Sequence, residues 1–273
     1  MPQDYTMTQE GAPQPRRIGA VNWLGLWTLY AREVRRFIKV GMQTVVAPVV
    51  TTLLFLAIFL LAMGGQQRMV GGVPYLEFLA PGLVMMAMTQ NAFANTSSSL
   101  MIAKMQGNIV DVLMPPLSPG ELVWGFALGG VTRGLVVGLV VTATMAVFVT
   151  VHIHSLPLAL FHAFAASLLL SVLGLIGGIW ADKFDHIAAV TNFVVTPLAF
   201  LSGTFYSIDF LPEKFRFVAL CNPFFYMIDG FRYGLTGKAD GSLALGVVIM
   251  IAINVALLLL CHAMFARGYK LKA

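Results

Sequence analysis

"QTVVAPVVTTLLFLAIFLLAM", Gln43–Met63, carries no charged side chain from end to end. About 20 consecutive apolar residues are what a helix needs to cross a hydrocarbon core roughly 30 Å thick. Lipid offers no partner for backbone N–H and C=O groups, so a lone run of this kind must satisfy them internally, as a helix. Further runs follow at Phe78–Leu100, Leu122–Val149, Leu156–Ala181, Ile187–Tyr206 and Leu243–Phe265. The expected fold is an all-α integral membrane protein with six transmembrane helices. The third and fourth runs are long enough to need tilt or protruding ends.

Composition agrees. Of 273 residues, 58% are hydrophobic and 11% charged, with mean hydropathy +0.83; a soluble domain carries about 25% charged residues. The net charge of +5 does not indicate nucleic acid, because the bases flank apolar runs. Arg16, Arg17, Arg32, Arg35, Arg36 and Lys39 all precede the first run, which places both termini in the cytoplasm by the positive-inside rule. Residues 1–20 are polar and Pro-rich, with no apolar signal-peptide segment, and read as a disordered cytoplasmic tail; 266–273 read as a second cytoplasmic tail. Cys221 and Cys261 have neither metal-ligand nor disulfide-framework spacing.

Over residues 21–42, Trp23, Leu26, Trp27, Tyr30, Val34 and Phe37 recur at helical spacing, while Arg32, Arg35, Arg36 and Lys39 lie mostly elsewhere. This is the pattern of an amphipathic helix lying in the membrane interface, either a plain anchor or a surface for a cytoplasmic partner. In the second run, Asn91, Asn95 and Ser98 fall at i, i+4 and i+7 on one helix face. They either hydrogen-bond between helices or line a watery path. Gly125/Gly129, Gly130/Gly134, Gly134/Gly138 and Gly174/Gly178 are spaced for close helix packing. Arg133, inside the third run, costs about 2.5–3.5 kcal/mol if left unpaired at the membrane centre, so it must pair or snorkel.

No Asp or Glu lies deep in any run: Glu77 and Glu121 sit at edges, and Asp182 and Asp185 in a loop. That argues against an ion-coupled carrier, which needs an intramembrane acid relay. His152 and His154 lack a third ligand for a metal. Between runs two and three, "AKMQGNIVDVLMPPLSPGELVWG" (Ala103–Gly125) allows a short amphipathic helix through Met105, Ile109, Val112 and Leu113. Pro115, Pro116 and Pro119 stop it, and it reads as either a rigid lever or a tight connector.

"CNPFFYMIDGFRYGLTGKAD" (Cys221–Asp240) ends like a phosphate-binding loop, but Arg232 stands where a glycine is required and Ala239 where a hydroxyl is required. Asn222-Pro223 can start a helix, Asp229 and Arg232 can pair at i, i+3, and Gly234 with Gly237 can end it. Tyr226 and Tyr233 suit an aromatic interfacial belt.

Several blocks in order, "REVRRFIKVGMQTVVAPVV" (Arg32–Val50), "FLAPGLVMMAMTQNAFANTSSSL" (Phe78–Leu100), Ala103–Gly125, "GGVTRGLVVG" (Gly129–Gly138), "TPLAFLSGTFYSIDFLP" (Thr196–Pro212) and "NPFFYMIDGFRYGLTG" (Asn222–Gly237), resemble the ABC-2 class of ABC-transporter permeases, in the branch of the YadH-type exporters and nodulation NodJ-like permeases. The resemblance implies a six-span domain over 43–265 that works as a homodimer in the bacterial inner (plasma) membrane, with two cytoplasmic ABC ATPase subunits. ATP and Mg would be bound by that partner ATPase, with no cofactor, metal, nucleic acid or catalytic residue in this chain.

The 21–42 segment would be the connecting helix, with Arg32, Glu33, Arg35 and Arg36. A coupling helix at about 103–114 would dock on the ATPase through Lys104, Met105, Gln106, Asn108, Asp111 and Pro115. Asn91, Asn95 and Ser98 are the pathway candidates. An outer re-entrant hairpin at about 207–238 would include Asn222, Pro223, Tyr226, Asp229 and Arg232. The implied activity is export of a hydrophobic, amphiphilic or glycolipid/polysaccharide-like substrate. The alternative is an ion-coupled secondary carrier or channel.

Overall fold

The computed structural model describes residues 19–62, 69–70 and 72–271. The tail expected over 1–20 lies almost wholly outside the described residues, as does the end of the 266–273 tail. Almost every described segment is helical. The amphipathic helix α1 spans Trp23–Lys39, and α2 (Gly41–Ala62) continues from it after a break at Val40. A two-residue antiparallel ribbon, β1 Met69–Val70 with β2 Val73–Pro74, leads into α3, Tyr75–Met105. Then come α4 (Ile109–Leu113), α5 (Pro119–Met145) and α6 (Leu156–Trp180). A helical rod follows, α7 (Phe184–Val190), a π turn over Thr191–Val195, and α8 (Thr196–Phe200). The chain ends with α9 (Glu213–Leu220), α10 (Pro223–Thr236) and α11 (Leu243–Arg267).

Among the described residues, four helices, α2, α5, α6 and α11, are long and apolar enough to cross a membrane. The expected second span is also helical but longer than anticipated. At 31 residues, α3 is about 46 Å long at 1.5 Å per residue. Its polar stretch dilutes its apolar character, and its place is internal, against α5 and α6. The expected fifth span, Ile187–Tyr206, is corrected: the rod starts at Phe184 and stops at Phe200. Pro197 has no N–H to give the preceding turn, and the widened π turn lies just before it. Gly203, at φ 73°, then reverses the chain in a backbone region that favours glycine, and the Ser202 and Thr204 hydroxyls bond the Ala199 carbonyl.

Glycines set the closeness of the central helices. A Cβ on Gly174 of α6 would lie 2.5 Å from the Phe93 carbonyl oxygen of α3, and one on Gly134 of α5 would lie 3.0 Å from the Met88 carbonyl oxygen. Thr96 Oγ1 donates to the Ser171 carbonyl at 2.6 Å, and Ser171 Oγ to the Ala127 carbonyl at 2.8 Å, so α3, α6 and α5 are stitched in series. Around this trio, α2 and α11 turn most of their length outward, with Leu54, Ile58, Leu61, Val248 and Leu259 bare. Such faces suit lipid or another apolar surface rather than water.

Candidate functional site

Two regions carry the chemistry, an assembly at one end of the bundle and a polar seam along α3. The end assembly begins with Asn22, whose side chain caps α1 by accepting the Gly25 N–H at 2.9 Å. The Asn22 backbone N–H donates to Glu121 Oε1 at 2.5 Å, and Asn22 Nδ2 to the Pro116 carbonyl at 3.2 Å. Glu121 Oε2 accepts the Ser118 N–H at 2.6 Å while Ser118 Oγ accepts the Glu121 N–H at 3.3 Å. That reciprocal capping box starts α5, so one carboxylate fixes both the start of α5 and the start of α1.

Next to it, α4 buries Ile109 and Val112 in a cluster with Leu29, Leu122 and Phe265. Its other side is bare: Val110 and the flanking Met114 are 54% and 76% exposed, and Met105, the last residue of α3, is 60% exposed, with Gln106, Asn108, Asp111 and Pro115 exposed beside them. A groove of about 560 Å³ runs between α1 and α4, lined by Trp23, Leu24, Arg32, Asp111 and Pro115.

Helix α1 lies on α5 at glycine contacts. A Cβ on Gly129 would sit 2.5 Å from Glu33 Cβ. Glu33 is fully buried there, accepting from Ser99 Oγ at 2.8 Å, Arg32 at 3.1 Å and Arg36 at 3.2 Å. The sequence placed Arg36 among the bases of a solvent-facing side. It instead turns inward, donating to Asn95 Oδ1 at 3.0 Å and Ser98 Oγ at 3.2 Å. Arg32 stays half-exposed over the Phe126 ring at 5.6 Å, and Arg35 is exposed.

Asn91, Asn95 and Ser98 do share a face, and each is a partner for a cation. Asn91 Oδ1 accepts from Arg133 Nη2 at 3.0 Å and Nε at 3.3 Å. Arg133 thus pairs rather than snorkels, but with a neutral group. Asn91, Ser98, Arg36 and Arg133 also line a cavity of about 770 Å³ between α2 and α3. A second cavity of about 430 Å³, also lined by Asn91 and Ser98, lies between α3 and the α7–α8 rod. Helix-joining and cavity-lining therefore coexist in the same residues.

Four expectations are corrected. Lys104 does not offer its ammonium outward from the α4 region: it sits in the last turn of α3 and donates to the carbonyls of Ile179 at 2.8 Å, Ala181 at 2.6 Å and Gly178 at 3.4 Å, capping α6. Unpaired carbonyls at a helix C-terminus attract such a cation. Asp229 and Arg232 form no direct ion pair. Asp229 accepts the N–H groups of Asp240 and Gly241 at 2.8 and 3.0 Å. Arg232, 1% exposed, donates to the carbonyls of Gly203 at 2.6 Å and Phe78 at 3.2 Å, its guanidinium 3.8 Å from the Phe78 ring centre.

Tyr226 is buried, its hydroxyl on the Leu220 carbonyl; the outward aromatics are Phe210, Phe215 and Phe217, 63–69% exposed. Asn222 and Pro223 do start α10, and Gly237, left-handed at φ 72°, ends it. Gly234 instead sits against Ala159 of α6.

The residues that sequence reasoning missed as organisers are Asn22, Ser99, Ser118 and Glu121. The "SPGE" capping pattern was visible for the last two, whereas nothing local links Asn22 to Glu121. Glu33 and Asp229 are buried carboxylates outside the apolar runs, so a search of those runs for acids passes over them. Among the described residues, no group of three His, Cys, Asp or Glu is placed to hold a metal.

Apolar membrane-length helices packed around a polar seam fit a multi-pass membrane protein. The chain belongs to the ABC-2 type transporter family, whose match covers residues 25–236. It is similar to the inner membrane transport permease YadH of Escherichia coli K12, 38% identical over 251 residues, covering 92% of this chain and 98% of that protein. It is also similar to nodulation protein J of Rhizobium leguminosarum bv. viciae, 27% identical over 252 residues, covering 91% and 95%. For nodulation protein J of Sinorhizobium fredii the identity is 27% over 234 residues, covering 83% and 86%. The family's membrane subunits are transport components, and membership implies an ABC ATPase as partner.

Proposed function

We propose that this chain is the permease subunit of an ATP-driven exporter. It spans the bacterial inner membrane six times as a homodimer, with both termini in the cytoplasm and two ATPase subunits below. In this reading α3 and the α7–α8 rod are the second and fifth spans. The α9–α10 pair dips back from the outer side, the exposed phenylalanines of α9 resting in the interface. The substrate is hydrophobic, amphiphilic or glycolipid-like. ATP and Mg belong to the partner, and this chain supplies the path and the lever.

One observation carries the reading. The outward side of α4 presents Val110 and, at its end, Met114 around Asp111, with Met105 bare at the adjoining end of α3, while the inner side of α4 is packed under α1 and against α5. Exposed apolar side chains rimmed by polar ones suit a protein contact. A push on α4 would reach α1 and α5 together, because Glu121 and Asn22 join them. Lys104 is left out of the docking set, being committed to α6. An ion-coupled carrier gains no support from Glu33 and Asp229, since each carboxylate is held by hydrogen bonds within its own locality.

The test is co-purification with the cognate ATPase. Val110→Asp with Asp111→Arg should abolish capture of the ATPase, whereas Lys238→Glu, on an exposed loop, should not. Capture undiminished by the double change would sink the docking assignment. Orientation is read separately with an impermeant thiol reagent in a Cys221→Ser background, which removes the exposed native thiol: Lys238→Cys should label from outside and Asn108→Cys only after permeabilisation.

A further inference from the structure

We infer that the cavity between α2 and α3 receives the anionic head group of an amphiphile, held by Arg133 with help from Arg36 and Asn91. This deepens the exporter reading by naming the charge class of its cargo, and it rests on that reading. Arg133 is the anchor. It donates only to the neutral Asn91 Oδ1, and among the described residues no carboxylate lies within 4.0 Å of it. Arg36, by contrast, is already matched by Glu33. The residues lining the cavity include two arginines and no acid, so the wall carries an uncompensated positive charge. A guanidinium keeps its charge in such surroundings and presents a fork that fits phosphate, sulfate or carboxylate oxygens.

The shape points to an amphiphile rather than a free anion. Away from the arginines the lining becomes Phe55, Leu83 and Met86. Leu83 lies two turns along α3 from Asn91, about 12 Å at 1.5 Å per residue, enough for the first part of an acyl chain. A volume of about 770 Å³ falls in the range of small-molecule sites, roughly 300–1,000 Å³. The outer wall is α2, whose opposite side is bare and apolar, so a lipid entering from the bilayer would meet the cavity at that helix.

The full-length protein is purified in detergent and challenged with dioleoyl phosphatidylglycerol, dioleoyl phosphatidylcholine and excess inorganic phosphate; bound lipid is counted by native mass spectrometry. The wild type should retain the anionic lipid about tenfold better than the zwitterionic one, the scale of one charge-assisted hydrogen bond. Arg133→Gln should lose that preference, Arg133→Lys should keep most of it, and Arg267→Gln, the same charge loss at a remote exposed site, should keep all of it. Equal preference in Arg133→Gln and wild type overturns the inference, as does no preference in wild type. Full displacement of the lipid by inorganic phosphate would make the site a bare anion site and also overturn it. ATPase capture is read on the same samples and is expected to be unchanged by Arg133→Gln. Loss of capture in the wild type would strike the exporter reading instead, leaving the lipid result to be judged alone.

Discussion

The Glu121 carboxylate at the start of α5 accepts the backbone N–H of Asn22 at the start of α1, 99 residues earlier in the chain, at 2.5 Å. Its other oxygen closes the capping box with Ser118. Glu121→Ala removes both roles. The loss of a cap costs about 1 kcal/mol, and the loss of a charge-assisted bond adds a similar amount. A fall of about 2 kcal/mol in stability is expected, seen as a lowered melting temperature in detergent. Glu121→Gln keeps one acceptor oxygen and should fall between. If the alanine variant melts like the wild type, the clamp contributes nothing.

Gly129 sets how closely α1 approaches α5. Gly129→Ala would place a methyl 2.5 Å from Glu33 Cβ, so α1 must move or Glu33 must leave its buried site. Overpacking of this kind costs about 1–3 kcal/mol. Gly120→Ala, on the same helix, meets nothing closer than His262 at 3.9 Å and should be neutral or slightly stabilising, since alanine is the better helix former. Thermal unfolding of the two variants side by side gives the comparison; equal melting points would mean that α1 is not seated on Gly129.

After α6 the chain is held by a pair with a defined pH window. Lys270 Nζ lies 2.8 Å from Asp182 Oδ2 and 3.1 Å from the Trp180 carbonyl. The hydrogen bond from Lys270 holds the Asp182 carboxyl below its ordinary value of 3.8. The same bond holds the Lys270 ammonium above 10.5. A lowered acid contributes stability above its unfolded value and loses it as pH falls through the folded one; a raised base contributes below its unfolded value and loses it as pH rises through the folded one. The melting-temperature difference between wild type and Lys270→Met should therefore be small and flat from about pH 5 to pH 9, shrinking on both sides. A steady slope across neutral pH would contradict the pairing.

The apolar runs made the helices legible, because length and the absence of charge are local properties of the sequence. Boundaries failed where the deciding contact was remote. Phe200 ends the rod ahead of the reversal at Gly203, although the apolar run continues to Tyr206. The polar face of α3 was likewise readable from spacing alone, yet its partners were not. Arg36 and Arg133 come from α1 and α5, and only the packed structure shows that a supposed surface base supplies the seam. Asp229 and Arg232 failed for a further reason. Spacing at i, i+3 permits an ion pair on an exposed helix, but α10 is buried, and backbone groups of other segments claim both side chains first.

Arg232 therefore holds α10 to α3 and to the Gly203 turn at once. Its two donors reach two carbonyls on different elements, Phe78 and Gly203, and its plane lies over the Phe78 ring. A lysine ammonium can keep the charge but cannot reproduce the fork or the stacking. Arg232→Lys should cost about 2 kcal/mol, the loss of one hydrogen bond to a charged group. Arg232→Ala should cost about 3–5 kcal/mol, because the Phe78 and Gly203 carbonyls both lose a charged donor, each such bond contributing about 1.5–3 kcal/mol. Asp229→Asn retains one acceptor for the Asp240–Gly241 backbone and should be the mildest of the three. Melting temperatures in the order wild type, Asp229→Asn, Arg232→Lys, Arg232→Ala would support this anchoring. Arg232→Lys as stable as wild type would mean that charge alone, and not the two-carbonyl fork, keeps α10 in place.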